Sequence, residues 1–315
     1  MTVRALVDRA GTLIGLVLVL AIFGVLVGPQ FFAAANLDLI ARQTAIVGMA
    51  ALGMTMVIVA GGIDLSVGSI IALSTVAIAL LLRVGYNPWL AAIGGIASAA
   101  LCGVVNGVLI TQLRVVPFIV TLGTMLVVRG AAKGLAEERR LEAPATWLND
   151  LLRSHGGGSL ALMPPGIWLL VALAILVGGM FGYTRFGRQL FAIGSNERMA
   201  RLCGVPVERR KVAMYTIAAM FTGLAGLLQF SKLSVGDPTV AIGLELDVIA
   251  AVIIGGGSLL GGRGTVLGTM VGATIMTLIQ VGCSQKGLPN WVQQIITGGI
   301  IVGAVALDRL RSSQS

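Results

Sequence analysis

The chain has 315 residues, of which 57% are hydrophobic and 11% charged, with 44 glycines and a mean hydropathy of +0.97. A water-soluble domain carries about 25% charged residues, and a chain of this length cannot hide so apolar a sequence in one core, so the composition excludes a soluble globular protein. The formal charge of +9 is spread over short connectors between apolar runs, which fits orientation in a bilayer and argues against a nucleic-acid partner.

A hydrocarbon core about 30 Å thick needs roughly 20 apolar residues of helix, fewer inside a bundle. The first candidate, 12–28, follows Arg4 and Arg9 as a signal peptide would, but no small-residue cleavage site follows it, so an uncleaved span is expected. Further runs lie at 44–60, 67–82, 89–111, 115–130, 165–182, 212–231, 248–260, 264–282 and 291–307. The expectation is an all-α polytopic membrane protein with about ten transmembrane helices in a single domain, 1–315. The run 248–260 is short and reaches Gly255-Gly256-Gly257, so a broken or re-entrant glycine-rich element is expected there.

Threading ten spans from a cytoplasmic N-terminus puts 13 Lys and Arg inside against 9 outside, and 5 acids inside against 8 outside. That sign agrees with the positive-inside rule and leaves both termini cytoplasmic. The connector 131–163 becomes a periplasmic loop, and 183–211, with seven basic and two acidic residues, a cytoplasmic one.

Glycines at 264, 268 and 272, and at 103 and 107, repeat every four residues and predict stripes where another helix approaches closely. A faint internal echo links 57–65 (VIVAGGIDL) with 252–260 (VIIGGGSLL) at five of nine positions.

No expected span carries an acid, lysine or histidine near its middle, which argues against a proton-driven carrier. None of the four lysines follows a glycine, so no P-loop is present, and the string 255–264 does not fit a dinucleotide fingerprint. Cys102, Cys203 and Cys283 are scattered, and His155 stands alone in the 131–163 loop. No catalytic, cofactor-binding or metal site is therefore expected, and any energy for transport comes from another polypeptide.

Two polar features remain. In NERMARLCGVPVERRK, 196–211, Asn196 is placed to cap a short helix, Glu197 sits at its positive end, and Gly204 and Pro206 stop it after about two turns. Met199, Leu202 and Cys203 share one face of that helix, and Arg198 and Arg201 another. Such an element can lie on lipid phosphates as an anchor or dock into a cytoplasmic partner, and spacing alone leaves both open. In GGIDLSVG, 61–68, Gly61 and Gly62 permit a sharp turn, and Asp64 or Ser66 can cap the following helix.

The strings GGIDLSVGSIIAL, NGVLITQLRVVPFIVTLGTMLVVRG, AIGSNERMARLCGVPVERRK and ELDVIAAVIIGGGSLLGGRGTVLGTMVGA, in this order between about 37 and 307, resemble the permease subunit of bacterial ABC importers for ribose and related monosaccharides. Branched-chain amino acid permeases are more distantly similar. The resemblance implies a multi-pass permease of the inner membrane, paired with a second permease as homodimer or heterodimer. It further implies a cytoplasmic ABC ATPase that holds ATP and Mg, and a periplasmic sugar-binding protein. It makes Asn196, Glu197, Arg198, Arg201 and Gly204 the coupling helix, although the E-A-A-x-x-x-G motif of many such permeases is only partly kept, by Glu197, Ala200 and Gly204. Asn106, Thr121, Thr124 and Gln229 are candidates for lining the sugar path, with helix-to-helix hydrogen bonding as the alternative role. The rival readings are a passive channel or facilitator, and a permease for a branched-chain amino acid.

Overall fold

The structure, a computed structural model, describes residues 3–153 and 163–313. His155 and part of the 131–163 loop lie outside the described residues. The helices are α1 (Val3–Val27), α2 (Ala34–Val59), α3 (Val67–Arg83), α4 (Pro88–Leu113), α5 (Pro117–Leu135), α6 (Pro165–Tyr183), α7 (Arg185–Ser195), α8 (Glu197–Leu202), α9 (Val207–Leu233), α10 (Leu244–Ile254), α11 (Val266–Gln285) and α12 (Asn290–Ser313). The strands β1 (Leu141–Glu142) and β2 (Val235–Gly236) form one short antiparallel pair. Proline opens α4, α5 and α6, where its fixed φ suits the first turn and its missing N–H would have had no partner.

The protein is an all-α polytopic membrane protein, and α2, α4, α5, α6, α9 and α11 are each long and apolar enough to cross a bilayer. Centrally, α2 is buried without interruption from Ala45 to Val59, as expected of a helix that is apolar all round. It runs antiparallel to α9, with Gly53 against the Ala218 backbone and Gly62 beside Tyr215. The glycine stripes do what their spacing predicts. Gly268 and Gly272 bring α11 onto α10 at Gly255 and Ala251, and Gly103 and Gly107 bring α4 onto α9 at Tyr215 and Val212.

The connectors gather at two opposite ends. At one, Gly262 N–H donates to Val59 O (2.8 Å), and Thr12 of α1 reaches Ile254 O. At the other, Leu141 pairs with Gly236, the Trp89 and Trp147 rings lie 4.4 Å apart, and Leu152 N–H donates to Ser231 Oγ (2.9 Å). The first end carries the loops 60–66, 114–116, 184–206 and 255–265, the same set that the ten-span threading puts together.

A repeat runs through this packing. Asp64 Oδ1 accepts from Ser66 N–H (2.9 Å) and Ser66 Oγ–H (2.5 Å); Asp237 Oδ1 accepts from Thr239 N–H (2.8 Å) and Thr239 Oγ1–H (2.7 Å). Each acid lies three residues after a left-handed residue that ends a long helix, Gly61 (φ 79°) after α2 and Ser234 (φ 59°) after α9. Each turn then feeds a shorter helix, α3 or α10. In addition α4 packs on α9 while α11 packs on α2, and α3 touches α9 while α10 touches α2. The unit α2–α3–α4 thus recurs, inverted, as α9–α10–α11, the arrangement of many transporter folds.

The echo between 57–65 and 252–260 has a different meaning. Both strings stop a helix in the same way: Gly61 and Gly62 donate to Ile58 O and Val57 O, and Gly256 and Gly257 donate to Ile253 O and Val252 O. They share a helix ending, whereas the packing pairs Asp64-Leu-Ser-Val67 with Asp237-Pro-Thr-Val240.

The expected broken element is found, with its helix shifted toward the N-terminus. α10 covers 11 residues, about 16 Å at 1.5 Å per residue, and ends before the glycine run. The chain reaches α10 through non-helical residues 234–243, which descend beside α3: Asp237 N–H donates to Thr75 Oγ1 (3.2 Å), eight residues or about 12 Å short of the last residue of α3. Ala241 and Glu245 then lie against Gly68 in the first turn of α3. The N-termini of the two shorter helices therefore meet inside the protein. The first turn of α10 carries acids, Glu245 and Asp247, which a run drawn from 248 onward misses.

Candidate functional site

The polar island folds as its capping residues dictate. Asn196 adopts extended backbone, and its Oδ1 accepts from Met199 N–H at 3.0 Å. At the other end Gly204 takes φ 80°, its N–H donates to Arg201 O (3.0 Å), and Val205 N–H donates to Ala200 O (3.0 Å). Ala200 is buried against Ile193 and Val207, which fixes the inner face of α8. The outer face is bare: Met199 is 54% exposed, Leu202 80%, and Cys203 is exposed beside them.

The charges divide into two groups. Glu197 accepts from Arg201 (3.2 Å) and Lys211 (2.7 Å), and Arg201 also binds Glu208, so these residues tie α8 to the start of α9. The Arg201 hydrogen bond holds the Glu208 carboxyl below its ordinary pKa. Arg198 is exposed and forms no ion pair among the described residues. A cleft of ≈ 720 Å³, lined among others by Arg114, Arg198, Arg201, Glu208 and Lys211, opens between α8 and the turn from α4 to α5. The exposed apolar face and the uncommitted arginine suit a protein partner, because buried apolar anchors ringed by charge are what protein interfaces use.

Beneath the island, three glycines meet. The end of α7 places Gly194 against Gly61 and Gly261, and a Cβ on Gly194 would overlap Val59 O. α7 itself is held by Thr184 Oγ1, which caps it at Gly187 N–H (3.1 Å), and by Arg210 of α9 over the Phe186 ring. The exposed face of α8 is thus connected through close backbone contacts to the ends of both α2 and α10.

The GGID turn lies just inside this junction. Gly62 packs on Tyr215, and Asp64 closes the turn through Ser66; Ser66 is the N-cap of α3 but its side chain caps nothing. Instead Ser66 Oγ accepts from Asn106 Nδ2 on α4 (3.0 Å), and Thr121 of α5 donates to Ile63 O (3.2 Å). Asp64, Asn106 and Thr121, singled out separately in the sequence, therefore form one buried polar cluster that joins α3, α4 and α5. Thr124 is half-buried and donates to Thr121 O (3.1 Å), and Gln229 lies buried in α9.

Sequence reasoning overlooked the groups around the non-helical entry to α10. Arg129 of α5 donates from one Nη1 to Pro238 O (2.9 Å) and Val240 O (2.8 Å), and Gln280 of α11 donates to Asp247 Oδ2 (2.6 Å). The signal was present as the Asp-x-Thr match to Asp-x-Ser, hidden because its two copies differ at most flanking positions.

Compared with known proteins, residues 36–305 match the family described as branched-chain amino acid transport system / permease component. The ribose import permease protein of Escherichia coli strain K12 is 36% identical over 297 residues, covering 94% of this chain and 92% of the relative. That of Bacillus subtilis strain 168 is 38% identical over 307 residues, 97% of this chain and 94% of the relative. The fructose import permease protein of Rhizobium meliloti is 36% identical over 304 residues, 94% of this chain and 84% of the relative. No solved structure matches the chain.

Proposed function

The chain belongs to the family of branched-chain amino acid transport system permease components, and from that premise we propose that it forms, with a second permease, the path of an ATP-driven importer for a ribose-type monosaccharide. It is a multi-pass permease of the bacterial inner membrane. The sugar, rather than an amino acid, is supported by the relatives, which are import permeases for ribose and fructose at 36–38% identity over most of both chains.

In this reading the chain performs no covalent chemistry. A separate cytoplasmic ATPase binds ATP and Mg, and a periplasmic binding protein delivers the sugar. Ten crossings, the eighth broken between β2 and α10, leave both termini cytoplasmic. Asn106, Thr121, Thr124 and Gln229 remain candidates for lining the path, the first two only after exchanging the partners they hold in this conformation.

The observation that carries the energy-coupled reading over a passive channel is the position of Gly194. α8 presents an exposed apolar face, and the helix leading into it ends against Gly61 and Gly261. Movement of a docked partner therefore reaches the two inverted halves at once. A lipid anchor needs no such connection. Coexpression of the permease with its ATPase tests the assignment: the two should copurify through α8, and copurification that survives loss of the α8 face counts against it.

A further inference from the structure

The non-helical segment 234–243 presents a physical problem. It descends about 12 Å below the end of α3, yet part of it faces outward: Thr239 is exposed, Ile242 is 72% exposed and Leu246, one turn on, is 47% exposed. The Ile242 N–H and C=O bond to no other described residue. At membrane depth, irregular backbone is tolerated only where protein covers it or water lines it, because an unpaired peptide group in hydrocarbon costs several kcal/mol.

The polar groups on this face favour water. Thr239 keeps an exposed hydroxyl that is held by Asp237, and Arg129 spends one nitrogen on two loop carbonyls while its guanidinium stays half-buried. An arginine inside a span, and a half-helix whose N-terminus begins at mid-depth, are both features of solute paths. On the reading that the chain is a sugar importer, we infer that the broken crossing 238–246, with the neighbouring face of α5, forms the aqueous wall of the path, where the Thr239 hydroxyl and the Arg129 guanidinium meet the hydroxyls of a passing polyol. With its proton given to Asp237, the Thr239 hydroxyl can only accept, and Arg129 donates. Few groups on this wall, Glu245 among them, meet the solute, so the contacts stay weak, as a path that must release its solute requires.

Cysteine accessibility tests this in proteoliposomes that hold the whole complex. In a chain with Cys102, Cys203 and Cys283 replaced by serine, Ile242→Cys and, as a second position, Leu246→Cys should react with a hydrophilic methanethiosulfonate reagent. Their rates should differ about tenfold between the nucleotide-free and vanadate-trapped states, because the path opens to one side at a time. Ile175→Cys on α6, 71% exposed on a helix without polar neighbours, should stay unreactive in both. Rates at both positions that match Ile175→Cys, or that are the same in the two states, overturn the inference. ATP-driven uptake by the unsubstituted complex is measured alongside: if uptake is present and the thiols are silent, only this placement fails, whereas absent uptake overturns the importer reading itself.

Discussion

Gly194 and Gly261 touch backbone to backbone: a Cβ on Gly261 would lie 2.7 Å from Gly194 O and 3.0 Å from Gly194 Cα. The contact joins the end of α7, which leads into α8, to the loop after α10, and Gly61 completes it from the end of α2. No side chain intervenes, so the junction has little freedom to absorb movement.

Gly194→Ala should therefore separate docking from transport. The added methyl overlaps Val59 O and forces the junction apart at a cost of about 1–3 kcal/mol. The expected outcome is a variant that still copurifies with the ATPase but imports sugar several-fold more slowly per ATP hydrolysed. Uptake and hydrolysis measured on the same proteoliposomes check it, and an unchanged ratio would remove the junction from the mechanism.

Asp64 should act as a structural residue with a graded response. Asp64→Ala leaves the buried Ser66 N–H without its acceptor and should destabilise the chain by about 1–3 kcal/mol. Asp64→Asn keeps an acceptor oxygen and should lose less. Thermal unfolding in detergent ranks the variants; the reverse order, or no change for alanine, contradicts the geometry.

These two residues also show how much the sequence disclosed. In the island, capping by Asn196 and the glycine stop at Gly204 were legible because they are local events written in adjacent residues, whereas the ties of Glu197 to Lys211 and of Arg201 to Glu208 were not. GGID was legible as a turn for the same reason, but its connection to Asn106 and Thr121 was not, since those contacts span 40 and 58 positions. Sequence scanning began this element at 248, whereas its helix starts at Leu244. Scanning follows apolar side chains, and an element entered through Pro238, Thr239 and Glu245 has too few of them to register.

Sidedness can be read from a native thiol. Cys203 is exposed beside α8, whereas Cys283 is buried. In the absence of the ATPase, an impermeant maleimide should label Cys203 in inverted membrane vesicles and not in intact spheroplasts. Labelling from the outside would place the island in the periplasm and exclude a cytoplasmic docking role.

The docking face should fail in two distinguishable ways. Leu202→Asp removes an exposed apolar anchor and should weaken ATPase binding by tenfold or more, about 1.4 kcal/mol or above, without disturbing α8. Arg201→Glu faces Glu197 and Glu208 with a third acid and should weaken docking by loosening α8 from α9. Glu208 titrates below its ordinary value, so its ionised form supports the tie above that value, and the support is lost as pH falls through the depressed one. The loss caused by Glu208→Gln should accordingly be the same at about pH 6 and about pH 8. Binding measured by copurification at both pH values checks these outcomes, and a Leu202→Asp variant that binds normally moves the partner elsewhere.

The most direct test of the central claim is uptake of labelled ribose into sealed proteoliposomes that contain this permease, its ATPase and the soluble binding protein. Import should require all three components together with ATP and Mg, and should accumulate sugar against its gradient. Entry at the same rate without ATP or without the ATPase, stopping when the concentrations equalise, would show a passive facilitator and contradict the account.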